Sequence, residues 1–495
     1  NKAIGGSSKS QHCKGQAMDI DDNYGHATNS EMYHWIKENL DFDGSPLELC
    51  EKLTSIGLEV ENFSDPKDAL CNFIVSKIIN IEKHPDADKL SVCEVYDGKD
   101  RLQIVCGAQN ARKNLTTVLA PIGSEVRPNS NEGFTITKSK IRGVESYGML
   151  CSEEELGLQE TVQGIIELTD DLKIGSKFSE HIDDEQISFE IAITPNRVDC
   201  AGVYGIARDL SAVGWGKLKE KKIPCIETDF ETTVKLNNTL KTNKCPQFSL
   251  RLIKDVKNIQ SPKKLIKRFD NSGIKVISSL VDVTNFFTFD YCRPLHVFDF
   301  DKIIGNIKIR ESKEGEKFIG LDDEEYFLHD GMIVICDEEK IISLAGVLGG
   351  KNTACDEHTK NILLESAYFL PSEIASAGRK LNILSDARYR FERGVDPNST
   401  FDGIELATEM ILKNCGGKVG SIISDSKVAQ KESSIRVEKF FFDRLLGIDT
   451  KESFIEQKLK AIGCKVSKSS DGFDVVSPSW RPDIRIKEDL VEEIG

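Results

Sequence analysis

The sequence predicts an α+β multidomain protein, and four observations carry that prediction. Its 495 residues, at roughly 100–200 residues per domain, suffice for three or four domains with sizeable cores. Residues 73–178 alternate short strand-like runs with turn residues every ~8–12 positions, the pattern of a small antiparallel barrel. Residues 179–428 instead mix helical runs (VYGIARDLSAVGW, SPKKLIKRF, IELATEMILKN) with strand-like MIVICD and IISLAGVLGG, which reads as a mixed α/β module. Residues 429–495 form a small α+β domain, within which Lys439–Gly495 reads helix, strand, strand, helix.

Taken in order, residues 1–43 are polar and Gly/Ser-rich and end in the helical stretch SEMYHWIKENL. In residues 44–72, Leu47, Leu49, Cys50, Leu53 and Ile56 share one helical face, and Gly57 marks the end of that helix. A linker, NFSDPKDAL, leads into the strands FIVSKIINIE, LSVCEVYDG, LQIVCGA, TTVLAPIG and FTITKSKIRG. No internal repeat or low-complexity tract interrupts the chain. Its first residue is not Met and EDLVEEIG stops within a helical pattern, so a fragment at both ends is expected.

Composition narrows the function classes. A 39% hydrophobic and 29% charged share with 37 Gly and 14 Pro excludes collagen-like and disordered chains. The longest apolar runs, Met332–Cys336 and Ile341–Leu348, have strand length and cannot span a bilayer, and Asn1–Ser10 lacks the apolar core of a secretory signal. The net charge of 65 − 81 = −16 argues against a protein that coats polyanions along its whole length. Within it, Phe73–Leu150 carries 11 Lys/Arg against 9 Asp/Glu, so this segment is the natural place for nucleic acid. The 14 cysteines form no C-x-x-C pair, which predicts buried thiols in a reducing, cytoplasmic setting.

Three strings concentrate the chemistry of the barrel: KIINIEKHPDADKLSVCEVYDG, IVCGAQNARKNL and KSKIRGVESYGMLCSEEELGL, the last with Lys138, Lys140 and Arg142 in a basic run. An OB-type barrel binds single strands and loops through a charged groove with stacking platforms. By spacing alone, any small barrel with a solvated charged edge fits as well. The strings themselves resemble the tRNA-binding OB domain at the front of the bacterial phenylalanyl-tRNA synthetase beta subunit. The resemblance continues in order through ITPNRVDCAGVYGIARDLSAVGW, SLVDVTNFFTFDYCRPLHVFDFDKI, LAGVLGGKNTACDEHTKNILLESAYF, ILSDARYRFERGVDP and SPSWRPDIRIKEDLVEEIG, covering about residues 44–495. In that family a catalytic-like domain and an anticodon-binding domain follow. The start is different: SQHCKGQAMDI is similar to the zinc motif of D-Ala-D-Ala carboxypeptidase-like peptidases, with His12 and Asp19 as two of three ligands, and no segment resembles the source of the third.

The resemblance implies a beta subunit that binds tRNA(Phe) and hydrolyses mischarged Tyr-tRNA. An alpha subunit, in a heterotetramer of two alpha and two beta, would join Phe to tRNA with ATP and Mg²⁺. A pocket shaped for Phe rejects an added hydroxyl only about 10²-fold, so a second, hydrolytic site with a polar partner for the phenol is expected. By the same resemblance His296, Glu365 and Ser385 are its catalytic group, with Pro294, Gly349 and Ala387 lining the pocket. Ser385 stands where many members have Thr, and Lys275 where many have Arg, which loses bidentate geometry. Without the resemblance, His296 reads more readily as a structural loop residue and Glu365 as a rim residue. At the tail, Asp489, Glu492 and Glu493 fall at i, i+3 and i+4, six residues beyond Asp483. Such a cluster is either a solvated acidic helix start or a hard-cation site. The family pattern implies the latter, Mg²⁺ shared with alpha. The competing expectations are a free-standing tRNA-binding or trans-editing protein without a ligase partner, and a peptidase-related enzyme.

Overall fold

The structure, a computed structural model, describes residues 32–126, 133–158, 164–182, 187–240, 243–270, 272–426 and 433–495. His12 and Asp19 of the zinc-like motif lie outside the described residues. The chain divides into two compact units, Ser64–Ile187 and a larger one made of Asn1–Phe63 with Ser188–Gly495. No helix among the described residues is long and apolar enough to cross a membrane.

The larger unit begins with helix α1 (Met32–Asn39) and helix α2 (Pro46–Ser55). Trp35, Ile36 and Leu40 are fully buried, and the Arg268 guanidinium lies 3.7 Å from the centroid of the Trp35 ring. The expected seam at residue 43 therefore does not hold for residues 32–43, because their apolar side chains are part of this unit's core. Helix α2 starts where Ser45 and Glu48 cap each other reciprocally, with Pro46 at the first helical position. Its expected apolar face is only partly buried, since Leu49 and Leu53 are enclosed while Leu47 is 61% exposed.

The smaller unit holds strands β1 (Ile74–His84), β2 (Ala87–Tyr96), β3 (Arg101–Cys106) and β4 (Thr116–Pro121), the hairpin β5 (Ser139–Ile141)–β6 (Val144–Ser146), and β7 (Gly148–Leu150). Five of them form one antiparallel sheet in the order β7-β4-β1-β2-β3. The sheet curls back on itself: Tyr147 N donates to Gln103 O at 2.9 Å and Val105 N to Ser146 Oγ at 3.1 Å. Two bulges in β1, at Ile78/Asn80 and Lys83/His84, supply the bend. The expected boundaries at 72/73 and 178/179 shift outward to Ser64 and Ile187, because Leu70 and Ile182 pack in one core with Phe73 and Val118. Phe63, by contrast, stacks on Phe189 of the larger unit at 5.4 Å.

The rest of the larger unit runs α3 (Val203–Ala212), β8 (Leu236–Asn238), β9 (Gln247–Lys254), α4 (Ser279–Tyr291), β10 (Leu295–Asp299), β11 (Ile307–Glu311), β12 (Ile333–Cys336), β13 (Ile341–Leu344), β14 (Leu348–Gly349), β15 (Ile362–Tyr368), α5 (Asp386–Phe391), α6 (Ser399–Cys415) and β16 (Lys418–Ser426). Two sheets result, β10-β15-β9-β16 and β8-β11-β12-β13-β14. On the first, Ile362 and Leu364 pack against Val283 and Phe287 of α4 and Ile404 and Ile411 of α6. Side chains alternate along a strand, so Leu363, Glu365 and Ala367 point to the opposite face. Residues 434–492 add β17 (Ser434–Glu438), α7 (Lys439–Leu446), α8 (Glu452–Ala461), β18 (Lys465–Lys468), β19 (Gly472–Val476) and α9 (Lys487–Glu492), packed around their own core of Phe442, Leu459, Phe473 and Leu490.

Candidate functional site

Two side chains with strongly perturbed chemistry sit on that opposite face. Glu365 occupies the middle of β15, in register with His296 of β10 on one side and Leu250 of β9 on the other. The strand is buried throughout, and Glu365 itself is 6% exposed. Its neighbours on the face, Leu363, Phe298 and Phe248, are wholly buried hydrocarbon. Burial therefore pushes the Glu365 carboxyl up to about 8 and the His296 imidazole down to about 4. Oε2 of Glu365 and Nε2 of His296 are buried and have no hydrogen-bond partner. At neutral pH the site thus presents a mostly protonated acid beside an uncharged imidazole.

Gly349 closes one side of the imidazole. A Cβ on it would lie 2.3 Å from His296 Cε1 and 2.8 Å from Leu321 Cδ1, so the ring rests directly on the glycine backbone. Leu321 N donates to Gly349 O at 3.0 Å and fixes that hairpin. Ser385 caps α5: its Oγ accepts from Arg388 N at 3.1 Å and donates to Val347 O at 2.6 Å. The hydroxyl expected to act in catalysis is thereby engaged in tying α5 to the hairpin that carries Gly349. Ala387 follows on the first turn of α5, half-buried, and Pro294 is buried just before β10. Lys275 is exposed on the segment between 272 and 278, and no contact seats it with these groups. Leu250, Leu321 and Val347 escaped sequence reading, because apolar side chains and a carbonyl carry no chemical signature until the register is known.

In the smaller unit a groove of about 530 Å³ runs past Phe134, Ser139, Ile141, Ser146, Met149 and Glu155. Lys138 and Lys140 alternate with Ser139 and Ile141, so they stand on the face away from those groove-lining residues. Lys138 Nζ is 3.1 Å from Glu145 and 4.8 Å from the centroid of the Tyr147 ring. Lys140 is exposed and pairs in register with Glu145. Arg142 and Gly143, at φ 45° and 90°, form the two-residue turn of the hairpin.

The acidic tail is arranged differently from the expected cation site. Arg481, 2% exposed at its side chain, holds Asp483 through Nε–Oδ1 at 2.9 Å and Nη2–Oδ2 at 2.7 Å. The same guanidinium bonds Glu493, with Nη1–Oε2 at 3.1 Å and a second contact from Nη2. Asp489 is turned to the helix start and accepts from Arg485 N and Ile486 N at 2.7 and 2.9 Å. Glu492 is exposed. Mg²⁺ needs converging oxygen ligands, and these four carboxylates do not offer them, since a buried guanidinium already neutralises two. Among the described residues, Asp199, Cys200 and Asp209 are the one group of three or more potential ligands whose atoms lie within 4.8 Å of one another. That group, which the sequence did not single out, is likewise filled by a cation: Arg197 bonds Asp199 at 3.1 Å and Cys200 Sγ at 3.0 Å, and also contacts Asp209.

Three family models match the chain: a putative tRNA binding domain over residues 73–177, a B3/4 domain over 244–416 and a tRNA synthetase B5 domain over 435–495. Among curated relatives, the phenylalanine–tRNA ligase beta subunit of Paramagnetospirillum magneticum is 44% identical over 463 residues, 93% of this chain and 58% of the relative. The subunit of the same name from Mesorhizobium japonicum is 45% identical over 464 residues, covering 93% and 57%. That of Ruegeria pomeroyi is 43% identical over 467 residues, covering 93% and 58%. The chain spans a little over half the length of these relatives. None of the comparisons supports a peptidase for the first residues.

Proposed function

Because the chain belongs to the phenylalanine–tRNA ligase beta-subunit family, we propose that it binds tRNA(Phe) and clears tyrosine from mischarged tRNA, as part of an ATP-dependent ligase completed by an alpha subunit in an assembly of two alpha and two beta. The observation that supports the editing role best is the unpartnered Glu365–His296 pair. A phenol entering beside Glu365 satisfies a carboxyl that otherwise has no bond, whereas a phenyl ring leaves it orphaned. Sites built to bond a hydroxyl discriminate against the analogue lacking it by about 10⁴–10⁵. The acid donates to the phenol oxygen when protonated and accepts from its O–H when ionised. His296, uncharged at neutral pH, offers a lone pair or an N–H to water or to the ester without placing a cation in the pocket. Ser385 acts through position, holding the hairpin of Gly349 by its bond to Val347 O.

The curled five-stranded sheet of the smaller unit is read as the OB-type tRNA-binding barrel, with Lys138, Lys140 and Arg142 meeting phosphates on its outer face. All 13 cysteines among the described residues are free, as suits a reducing cytoplasm. The tail carboxylates do not fit Mg²⁺, because Arg481 already neutralises Asp483 and Glu493. Two measurements test the proposal together. The chain should hydrolyse Tyr-tRNA(Phe) and spare Phe-tRNA(Phe), and it should retain a synthetase alpha subunit through purification. Equal hydrolysis of both esters, or of neither, would reject the editing assignment.

A further inference from the structure

A cavity of about 280 Å³ lies among α3, the end of α4, the start of α6 and Trp480. None of the editing residues His296, Glu365, Gly349 or Ser385 is in its wall. Its charged groups sort into two sets. Asp199 is held bidentately by Arg197 at 3.1 and 3.2 Å, so its charge is met from elsewhere. Arg293, 1% exposed, donates to Ser399 Oγ, Ala367 O and Asp396 O, and the carboxylates of Asp396 and Asp402 act on it through space.

Two cations are only weakly compensated: Arg208 has a single long ion pair, to Asp199, and Lys221 feels Asp290 and Glu38 only through space. Arg208 comes no nearer than 3.9 Å to Asp199, and its Nε is buried with no hydrogen bond. Its guanidinium lies 4.3 Å from the centroid of the Trp480 ring. Lys221 stands exposed among the lining residues, 5.1 Å from the Tyr291 ring and 5.9 Å from the Tyr204 ring, and those rings stack on each other at 5.6 Å. Among the described residues Lys221 has no ion pair. Two under-compensated cations beside three aromatic rings form a surface that matches a flat group carrying a negative charge.

We infer that this cavity binds a small planar organic anion, a phosphate or carboxylate attached to an aromatic ring system, with Arg208 and Lys221 meeting the anion and Trp480 and Tyr291 contacting the ring. The site is separate from the proposed editing pocket and does not depend on that reading.

Titration calorimetry on the 495-residue chain tests it with adenosine monophosphate and indole-3-acetate, each against its neutral counterpart, adenosine or indole-3-acetamide. Saturable binding of either anion below about 1 mM is expected. Binding should weaken about tenfold or more for the neutral counterpart and for Lys221→Met, an exposed position where folding is not at stake, and stay unchanged in Glu365→Gln. The two anions distinguish phosphate from carboxylate preference. Failure of both to bind, equal binding of the neutral molecules, or binding lost in Glu365→Gln but kept in Lys221→Met would overturn the inference.

Discussion

Glu365 and His296 sit in register on adjacent antiparallel strands, and each ends in a buried atom that no protein group reaches. Residues opposite one another in this way have Cβ atoms only about 4.5–5.5 Å apart, yet the two side chains leave each other unsatisfied. A buried polar group without a partner costs roughly 1–3 kcal/mol. Two of them side by side cost the fold stability, and a single ligand hydroxyl placed between them would offer a partner to both.

Replacing Glu365 by Ala should cut the rate of Tyr-tRNA(Phe) hydrolysis about 10–100-fold, the equivalent of a lost hydrogen bond of roughly 1.5–3 kcal/mol to a charged or polarised group. Affinity for tRNA should stay near wild type, because a buried carboxyl offers no cation to phosphate. Deacylation kinetics with separate tRNA-binding isotherms check both halves. An unchanged rate means the phenol is recognised elsewhere.

The same pair sets a pH profile for stability. Glu365 rises from an ordinary 4.5 to about 8, so between those values the folded form holds a proton that the unfolded chain releases, and stability falls as pH rises. His296 drops from 6.5 to about 4, so stability rises with pH over that window. Between about 4.5 and 6.5 the two slopes oppose each other. From 6.5 to 8 only Glu365 acts, and about 2 kcal/mol should be lost at 1.36 kcal/mol per unit. Denaturant unfolding of wild type and Glu365→Gln across pH 6–8.5 checks this: the alkaline loss should shrink in the variant.

How much of this was legible in the sequence differs by element. The strand-rich smaller unit showed itself through turn spacing; in Lys439–Gly495 the strand pair and the closing helix were legible, but two helices, α7 and α8, stand where one was expected. ILLESAY was readable as a buried strand, but that its one carboxyl faces an imidazole depends on the β10–β15 register, a pairing across 69 residues that no local pattern encodes. The seam at Asp43 misled because WIKENL is amphipathic either way, and only packing against Arg268 assigns it. For the tail, helical periodicity predicted three carboxylates on one face, whereas Asp489 turns to the helix start, Glu492 is exposed and Glu493 bonds Arg481. It could not show that Arg481 would claim two members of the cluster, or that the third residue of the helix, Asp489, would serve as its cap.

Gly349→Ala should destabilise the larger unit by about 1–3 kcal/mol, since the added carbon meets His296 and Leu321 well inside contact distance. The imidazole must turn to make room, so editing should fall with stability. Thermal unfolding and Tyr-tRNA hydrolysis measured on one preparation check the coupling. A variant that unfolds earlier yet edits normally would place the imidazole outside the reaction.

Lys140→Ala and Arg142→Ala should each weaken tRNA binding without changing sequence preference, and each should flatten the log–log salt dependence by about one unit. Lys138→Ala should do less, because its ammonium is already engaged by Glu145 and Tyr147. Filter binding across 50–300 mM salt separates these outcomes. Equal loss in all three would mean that Lys138 leaves Glu145 on binding.

Arg481 decides whether the tail can take a divalent cation. Its guanidinium is 2% exposed, and its partners Asp483 and Glu493 are 11% and 17% exposed, so all three charges are largely out of water. Removing one member of such a buried set leaves uncompensated charge and costs about 3–5 kcal/mol. Arg481→Met should therefore lower stability by that order in denaturant titration, and added Mg²⁺ should restore part of it, because the freed carboxylates regain a cation. Wild type should show neither the loss nor a response to Mg²⁺, as its two carboxylates are already bonded. Mn²⁺ broadening of the Ile484 and Ile494 methyl signals gives a second readout, strong in Arg481→Met and weak in wild type. If Mn²⁺ broadens those signals equally in both proteins, the cation displaces the guanidinium unaided. Asp483, Asp489, Glu492 and Glu493 would then form a metal site that the folded chain opens on demand.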